Sequence, residues 1–135
     1  VQFQDNRAVL HADPRVMPTR RKCWSSWIYR DDDPASGKAV GVTYWMNRLQ
    51  SLPEEDPLFV SLNPGTTIDP ALIYDETVFR HPVFDHAALN AQTALRGMQG
   101  QRQTWFGGAW LRNGFHEDGF ASAMRIARQL SPATV

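Results

Sequence analysis

The densest group of side chains that could do chemistry lies in the range 114–119, which reads GFHEDG. His116, Glu117 and Asp118 stand there at the start of the last predicted helix. Free backbone N–H groups and the positive end of a helix dipole lie at such a position, so the main chain alone could hold a phosphate or an electron-rich ring edge. The plainer alternative, which the spacing favours, is that the two carboxylates only complement the dipole in a solvated first turn.

A second group, His81, Asp85 and His86, adds nitrogen and oxygen donors. Together with residues 116–118 it could supply the ligands of a divalent metal, so a small metal-dependent hydrolase is one functional alternative. No HExxH or CxxC spacing is present, and Asp85 is also the expected cap of a helix. The residue types permit a metal site without indicating one, and we assign no metal ligand.

Three consecutive cations, residues 20–22, stand beside Cys23 and Trp24. An arginine over the Trp24 ring would make a cation–π contact, and the cluster could receive an anion, but an ordinary solvated loop is the favoured interpretation. Cys23 falls in an apolar strand pattern and is predicted to be a packed thiol rather than a nucleophile. The sequence contains no GxGxxG, Walker A or GxSxG motif, so it lacks a complete nucleotide-binding unit.

The first half of the chain predicts strands. Residues 39–49 alternate with a period of two and predict the clearest strand, and residues 23–29 predict a second. The polar segment 31–38 between them predicts a turn, so the two strands should form a hairpin. Residues 58–62 predict a short buried strand between proline-containing turns. The aromatic side chains around the hairpin suggest the apolar lining of a pocket, although aromatic residues on a strand usually belong to a core. They are Trp24, Trp27, Tyr44 and Trp45.

The second half predicts helices. Asp85 can cap a helix that Gly100 can end, and residues 103–110 read as a strand that ends in small side chains. A last helix follows, and its apolar face is formed by Phe120, Ala123, Met124, Ala127 and Leu130. We therefore predict an α+β fold, with a mixed or antiparallel sheet over residues 1–84 and a helix–strand–helix piece over residues 85–135.

Composition limits the class of protein. The chain has 135 residues, 42% of them hydrophobic and 21% charged, which suits one globular domain or one piece of a larger one. Lys and Arg number 14 and Asp and Glu 14, so no general attraction to nucleic acid is expected. No stretch approaches the roughly 20 apolar residues of a membrane helix, and a single cysteine makes no intramolecular disulfide, so a cytoplasmic location is expected. Because the first residue is Val1 rather than Met, we expect a fragment.

Five separated stretches along residues 10–130 carry a resemblance to a known family. They are LHADPRVMPTRRKCWSSWIYR, VTYWMNRLQ, PLFVSLNP, HPVFDHAALNAQ and TWFGGAWLRNGFHEDGFASAMRIARQL. Together they resemble the C-terminal part of the predicted NAD/FAD-binding proteins of the flavin-containing amine oxidase superfamily. The resemblance implies a substrate-domain-like sheet in the first half and the last helix–strand–helix piece of a flavin-binding α/β domain in the second.

The resemblance also implies a cofactor site. In that superfamily the last helix presents its N-terminus to the pyrimidine edge of the flavin, where the helix dipole stabilises negative charge on the reduced ring. Small side chains before that helix let the backbone pass close to the cofactor. The FAD-contacting positions implied in this chain are Gly108, Ala109, Phe115, His116, Glu117, Asp118 and Gly119.

The implied reaction is FAD-dependent removal of hydride from a C–N or C–C bond of an unidentified small-molecule substrate, and no catalytic residue is assigned. The implied partner is the N-terminal flavin-binding half that this sequence lacks. The isolated chain is therefore expected to bind no FAD, to be inactive, and to self-associate through the surfaces that the missing half would cover. A stand-alone module that binds a ligand or a partner chain is the main alternative, and the metal-dependent hydrolase is the second.

Overall fold

The chain folds as an α+β protein, as its sequence predicts. A computed structural model describes residues 1–30 and 41–131, which contain a five-stranded antiparallel sheet and three α-helices. The strands are β1 (Phe3–His11), β2 (Trp27–Arg30), β3 (Gly41–Trp45), β4 (Phe59–Leu62) and β5 (Ile73–Pro82), and the helices are α1 (Met46–Gln50), α2 (His86–Met98) and α3 (His116–Leu130).

The strand order in the sheet is β2-β3-β4-β1-β5. The predicted pairing of the first hairpin is confirmed, because β2 and β3 are antiparallel neighbours with Trp27 opposite Tyr44. The predicted turn at residues 31–38 lies outside the described residues. The buried strand predicted at 58–62 is confirmed as β4, which pairs with β3 on one side and with β1 on the other.

The chain divides into two compact units. Residues 5–80 form the first, which we call the sheet unit, and residues 1–4 together with 81–135 form the second, which we call the helical unit. In the described part of the chain, no helix combines the length and the apolar character that crossing a membrane requires.

The sheet unit contains the apolar core. Phe59 and Val9 are fully buried in it, and the Trp24 and Trp45 rings meet edge to face with their centroids 5.2 Å apart. Such aromatic pairs add to the free energy gained from burying apolar area. The buried apolar cluster consists of Val9, Val16, Met17, Trp45, Phe59 and Ile68.

Two of the predicted strands are shorter than expected. Residues 46–49, predicted to continue a strand, belong instead to α1, where the buried Asn47 side-chain oxygen accepts hydrogen bonds from the Leu58 backbone nitrogen at 2.7 Å and from the Trp45 indole at 3.1 Å. A 3-10 turn, Arg21–Cys23, replaces the start of the strand predicted at 23–29. That turn leaves Cys23 exposed, so the prediction of a packed thiol is wrong.

The strand predicted at residues 103–110 is also wrong, since this segment consists of irregular backbone between two 3-10 turns, Gln101–Gln103 and Ala109–Leu111. The Gln99 side chain accepts a hydrogen bond from the Phe106 nitrogen at 2.9 Å and donates one to the Phe106 carbonyl at 3.0 Å. A strand would need both of these backbone groups for a neighbouring strand. The side chain therefore takes the place of a sheet partner.

Both long helices form where the sequence predicts them. The Asp85 carboxylate caps α2 by accepting a hydrogen bond from the Ala88 nitrogen at 2.7 Å. The helix ends at Met98, shortly before Gly100, whose φ of 78° lies in the left-handed region. The face of α3 that the sequence marks as apolar is exposed in the structure, with Phe120 62% and Leu130 57% accessible.

Replacing Phe59 by alanine tests where the core lies. We expect the free energy of unfolding to fall by about 3–5 kcal/mol, because a fully buried aromatic ring is lost and a cavity is left. The matched control is Phe120→Ala, which should change it by less than about 0.5 kcal/mol because that ring is mostly exposed. Urea denaturation followed by tryptophan fluorescence measures both changes, and equal effects would contradict this description of the core.

Candidate functional site

The candidate site comprises the segment 107–115 and the first turn of α3. Gly108 sets the backbone course of this segment with a φ of 135°. A β-carbon there would come within 2.7 Å of the Trp110 indole nitrogen, so only glycine suits the position. The Gly108 nitrogen donates a hydrogen bond to the buried Ser122 hydroxyl at 2.8 Å, and that hydroxyl in turn donates to the Gly119 carbonyl at 2.7 Å. Ser122 thus ties the segment to α3.

Asp118 fixes the start of α3. One of its carboxylate oxygens accepts hydrogen bonds from the backbone nitrogens of Asn113 and Phe115, each at 3.2 Å. The other oxygen lies 3.8 Å from the Arg112 guanidinium, and the residue is only 7% exposed. This is the returning half of a capping box, since Phe115 at the N-cap has no side-chain acceptor. Asp118 therefore serves as a structural cap, beyond complementing the helix dipole.

The exposed part of the turn is formed by Phe115, His116 and Glu117, and the Phe115 ring is 70% accessible. The backbone nitrogens of His116 and Glu117 belong to the first turn, where an α-helix offers no internal acceptor. Among the described residues no other group accepts from these two nitrogens. Two main-chain donors and the positive end of the α3 dipole consequently face outward beside an exposed aromatic ring.

Gly119 and Ala109 lie against each other. A β-carbon built on Gly119 would stand 3.5 Å from the Ala109 nitrogen and 3.8 Å from the Ala109 β-carbon. Alanine would therefore fit, whereas a β-branched side chain would press the Ala109 turn away from α3. A bulky substitution at Gly119 reports on this packing, whether or not a ligand approaches the helix.

The structure does not gather the predicted metal ligands. Asp85 caps α2 and Asp118 caps α3, so both carboxylates are already used. His81, His86 and His116 are exposed. Within residues 1–30 and 41–131, no three His, Cys, Asp or Glu side chains stand close enough to hold a metal ion.

The basic loop of residues 20–22 is engaged with the sheet unit. The Arg21 guanidinium lies 4.0 Å from the centre of the Trp24 ring and 4.9 Å from that of Trp45. The cation–π contact that the sequence allows is therefore formed, although an ordinary solvated loop is the interpretation that the sequence favours. Arg21 also pairs with Glu54 at 3.1 Å. Trp24 and Trp45 pack in or against the core, whereas Trp27 is 52% exposed, so the aromatic group does not form one lining.

A buried polar chain within the sheet unit was not foreseen from the sequence. The Asp13 nitrogen donates to Nδ1 of His11 at 3.1 Å, so the neutral ring carries its proton on Nε2 and donates it to the Ser61 hydroxyl at 2.9 Å. The Ser61 hydroxyl is also hydrogen-bonded to the Thr43 hydroxyl at 2.7 Å. His11 and Ser61 are both completely buried. Because Ser61 accepts the proton of the His11 ring, its own hydroxyl proton points away from that ring, and no solvent reaches the serine. This series of hydrogen bonds is therefore structural rather than catalytic.

The Asp13 carboxylate faces Arg15 instead of the His11 ring. The Arg15 guanidinium donates to both carboxylate oxygens, at 2.6–3.0 Å, and the Asp69 nitrogen adds a further hydrogen bond at 2.9 Å. These bonds, chiefly those from Arg15, hold the pKa of the Asp13 carboxyl well below its usual range despite its burial. The sequence did contain a signal for these buried polar contacts, because polar residues at otherwise buried strand positions need hydrogen-bond partners.

Comparison with known proteins assigns no family, because no family model matches the chain and a search of the curated proteins finds no match.

Replacing Asp118 by alanine tests its role as a cap. We expect the free energy of unfolding to fall by about 0.5–2 kcal/mol, because two backbone N–H groups at the start of α3 lose their acceptor. Glu117→Ala is the matched control, since it removes a neighbouring charge without removing a hydrogen bond and should have a smaller effect. Urea denaturation followed by circular dichroism compares the two variants. Similar losses for both would show that Asp118 acts only through its charge.

The buried His11 ring predicts a pH dependence of stability. Burial is the main cause that lowers the pKa of His11 below its usual value of 6.5. The unfolded chain therefore binds the proton first as the pH falls, so stability should decline below about pH 6.5 toward the lower folded-state pKa. Urea denaturation from pH 7.5 to pH 5 measures the decline. His11→Gln should weaken this pH dependence and the exposed-site control His116→Gln should retain it, whereas the opposite pattern would exclude His11 as the cause.

Proposed function

We propose that this chain is the C-terminal part of an FAD-dependent oxidoreductase, in which it contributes a substrate-facing sheet and the last helix of the flavin-binding domain. The observation that carries the proposal is the reversed polarity of α3. Its buried side chains are Asp118 and Ser122, while Phe120, Met124 and Leu130 are exposed. A helix normally turns its apolar face toward a core. The apolar face of α3 is therefore available to pack against a body outside this chain.

The helical unit as a whole needs such a body. Among the described residues of 81–135, Ala88 is the only buried apolar side chain, whereas seven larger ones are exposed. Those exposed side chains are Phe84, Leu89, Met98, Phe115, Phe120, Met124 and Leu130. Burial of apolar area is the main source of folding free energy, and contiguous apolar surface rarely stays uncovered. The missing N-terminal half of a flavin-binding domain would cover this surface.

The first turn of α3 supports the choice of cofactor. It offers the two outward main-chain donors of His116 and Glu117 at the positive end of a helix that Asp118 holds in place. These groups suit the pyrimidine edge of a flavin, which gains negative charge on reduction. The sequence of residues 104–130 also resembles the C-terminal stretch of the amine oxidase superfamily, although residues 104–110 form no strand in this structure. Hydride removal from a C–N or C–C bond is the corresponding class of reaction.

The complete protein, with its N-terminal half, tests this proposal. We expect it to bind FAD stoichiometrically and to lose most of the flavin on Phe120→Asp, because a charge on the apolar face of α3 would prevent the helix from packing. The isolated 135-residue chain should remain colourless. The absorption spectrum of the purified proteins, together with flavin released by denaturation, measures the occupancy.

Arg128→Asp is the matched control, because it introduces the same side chain on the same helix at an exposed position outside the apolar face. It should keep its flavin. A complete protein without flavin would contradict the proposed cofactor. Full occupancy in Phe120→Asp would contradict the proposed packing of α3.

A further inference from the structure

A cavity of about 470 Å³ lies inside the helical unit, between α2, the segment 99–112 and α3. Its volume falls within the range of roughly 300–1,000 Å³ that is usual for small-molecule sites. It is separate from the first turn of α3. Arg125, which lines it, is nine residues beyond His116 and thus about 14 Å along the helix axis.

Arginines from three different elements line the cavity. Arg96 comes from α2, Arg112 from the irregular segment and Arg125 from α3, and no Asp or Glu of the described ranges lines it. In the part of the chain that the structure describes, the guanidiniums of Arg96 and Arg125 have no hydrogen-bond or ion-pair partner. Arg112 has only the distant Asp118 carboxylate at 3.8 Å. All three arginines are exposed to solvent, and three cationic side chains in the wall of one concave space favour a multiply charged anion.

The remaining wall of the cavity contains apolar side chains, namely Phe106, Leu111 and Ile126. Two glutamine side chains in the lining, Gln92 on α2 and Gln99 directly after it, hold the segment in place. Gln92 donates hydrogen bonds to the carbonyls of Trp110 and Arg112 at 2.9 and 2.8 Å, and Gln99 pairs with both backbone groups of Phe106. These hydrogen bonds fix part of the cavity wall, which contains both apolar and cationic side chains.

We propose that this cavity binds a small phosphate monoester with an apolar body. The phosphate, which carries about −1.5 to −2 charges at neutral pH, would lie among Arg96, Arg112 and Arg125. The apolar body would lie against Phe106, Leu111 and Ile126. The cavity shares Leu111 and Arg112 with the segment of the candidate site, but its test needs no flavin, so this inference does not rest on the proposed flavin function.

Isothermal titration of the full 135-residue chain with octyl phosphate tests the proposal. We expect saturable binding with one ligand per chain. Octanol, which lacks the phosphate, and inorganic phosphate, which lacks the octyl group, should each bind at least about tenfold more weakly, because each can make only the apolar or only the charged contacts. In an NMR titration the indole signals of Trp105 and Trp110 should shift with octyl phosphate, because these residues are next in sequence to the cavity-lining Phe106 and Leu111.

The double variant Arg96→Gln with Arg125→Gln should weaken binding of octyl phosphate by at least about tenfold. The matched control, Arg20→Gln with Arg128→Gln, makes the same change in net charge outside the cavity and should bind like the native chain. Equal loss in both double variants, or octanol or inorganic phosphate binding as tightly as octyl phosphate, overturns the proposal. Sedimentation of the native chain with vesicles of anionic phospholipid, where octyl phosphate does not bind, overturns it in favour of a membrane surface.

Discussion

The helical unit is held together by hydrogen bonds from side chains to the backbone rather than by an apolar core. Gln92 on α2, Gln99 directly after α2, and Asp118 and Ser122 on α3 bind backbone groups of the segment 106–115. Each such bond contributes only about 0.5–1.5 kcal/mol to folding in water. The conformation of the segment, the position of α3 and the cavity between the two helices all depend on these four side chains.

This arrangement explains why apolar side chains of α3 face outward. Because the inner face of the helix must supply polar groups to the segment, the apolar residues Phe120, Met124 and Leu130 occupy the opposite face. The sheet unit shows the usual arrangement, with Phe59 and Val9 at the centre of an apolar cluster. The contrast between the two units supports the proposal that α3 packs on a further body, and the same polar framework forms the arginine-lined cavity.

Local signals in the sequence predicted most of the elements. Asp85 as a cap, the two long helices and the buried strand β4 each follow from residues close to one another in the chain. The strand predicted at 103–110 failed because Gln99 satisfies the Phe106 backbone from outside that stretch. The prediction for Cys23 failed because the 3-10 turn at Arg21–Cys23 replaces the start of the predicted strand, and β2 begins only at Trp27.

Long-range contacts could not be predicted in the same way. The buried chain from His11 through Ser61 to Thr43 joins three strands whose register no local pattern defines. The cavity likewise brings together Arg96 and Arg125 from helices whose packing is fixed by polar side chains rather than by an apolar stripe. The composition of residues 114–119 predicted charged groups at the start of α3. It did not predict that Asp118 would be a buried cap while Glu117 stays exposed.

Among its described residues, the helical unit has no apolar core like that of the sheet unit. Hydrogen–deuterium exchange of the 135-residue chain under native conditions measures this directly, because amides report the free energy of local opening. Amides in the middle of α3 should exchange on the order of 100-fold faster than those of β4, once corrected for intrinsic rates. Equal protection of α3 and β4 would show that the helical unit is stable by itself, and would contradict the claim.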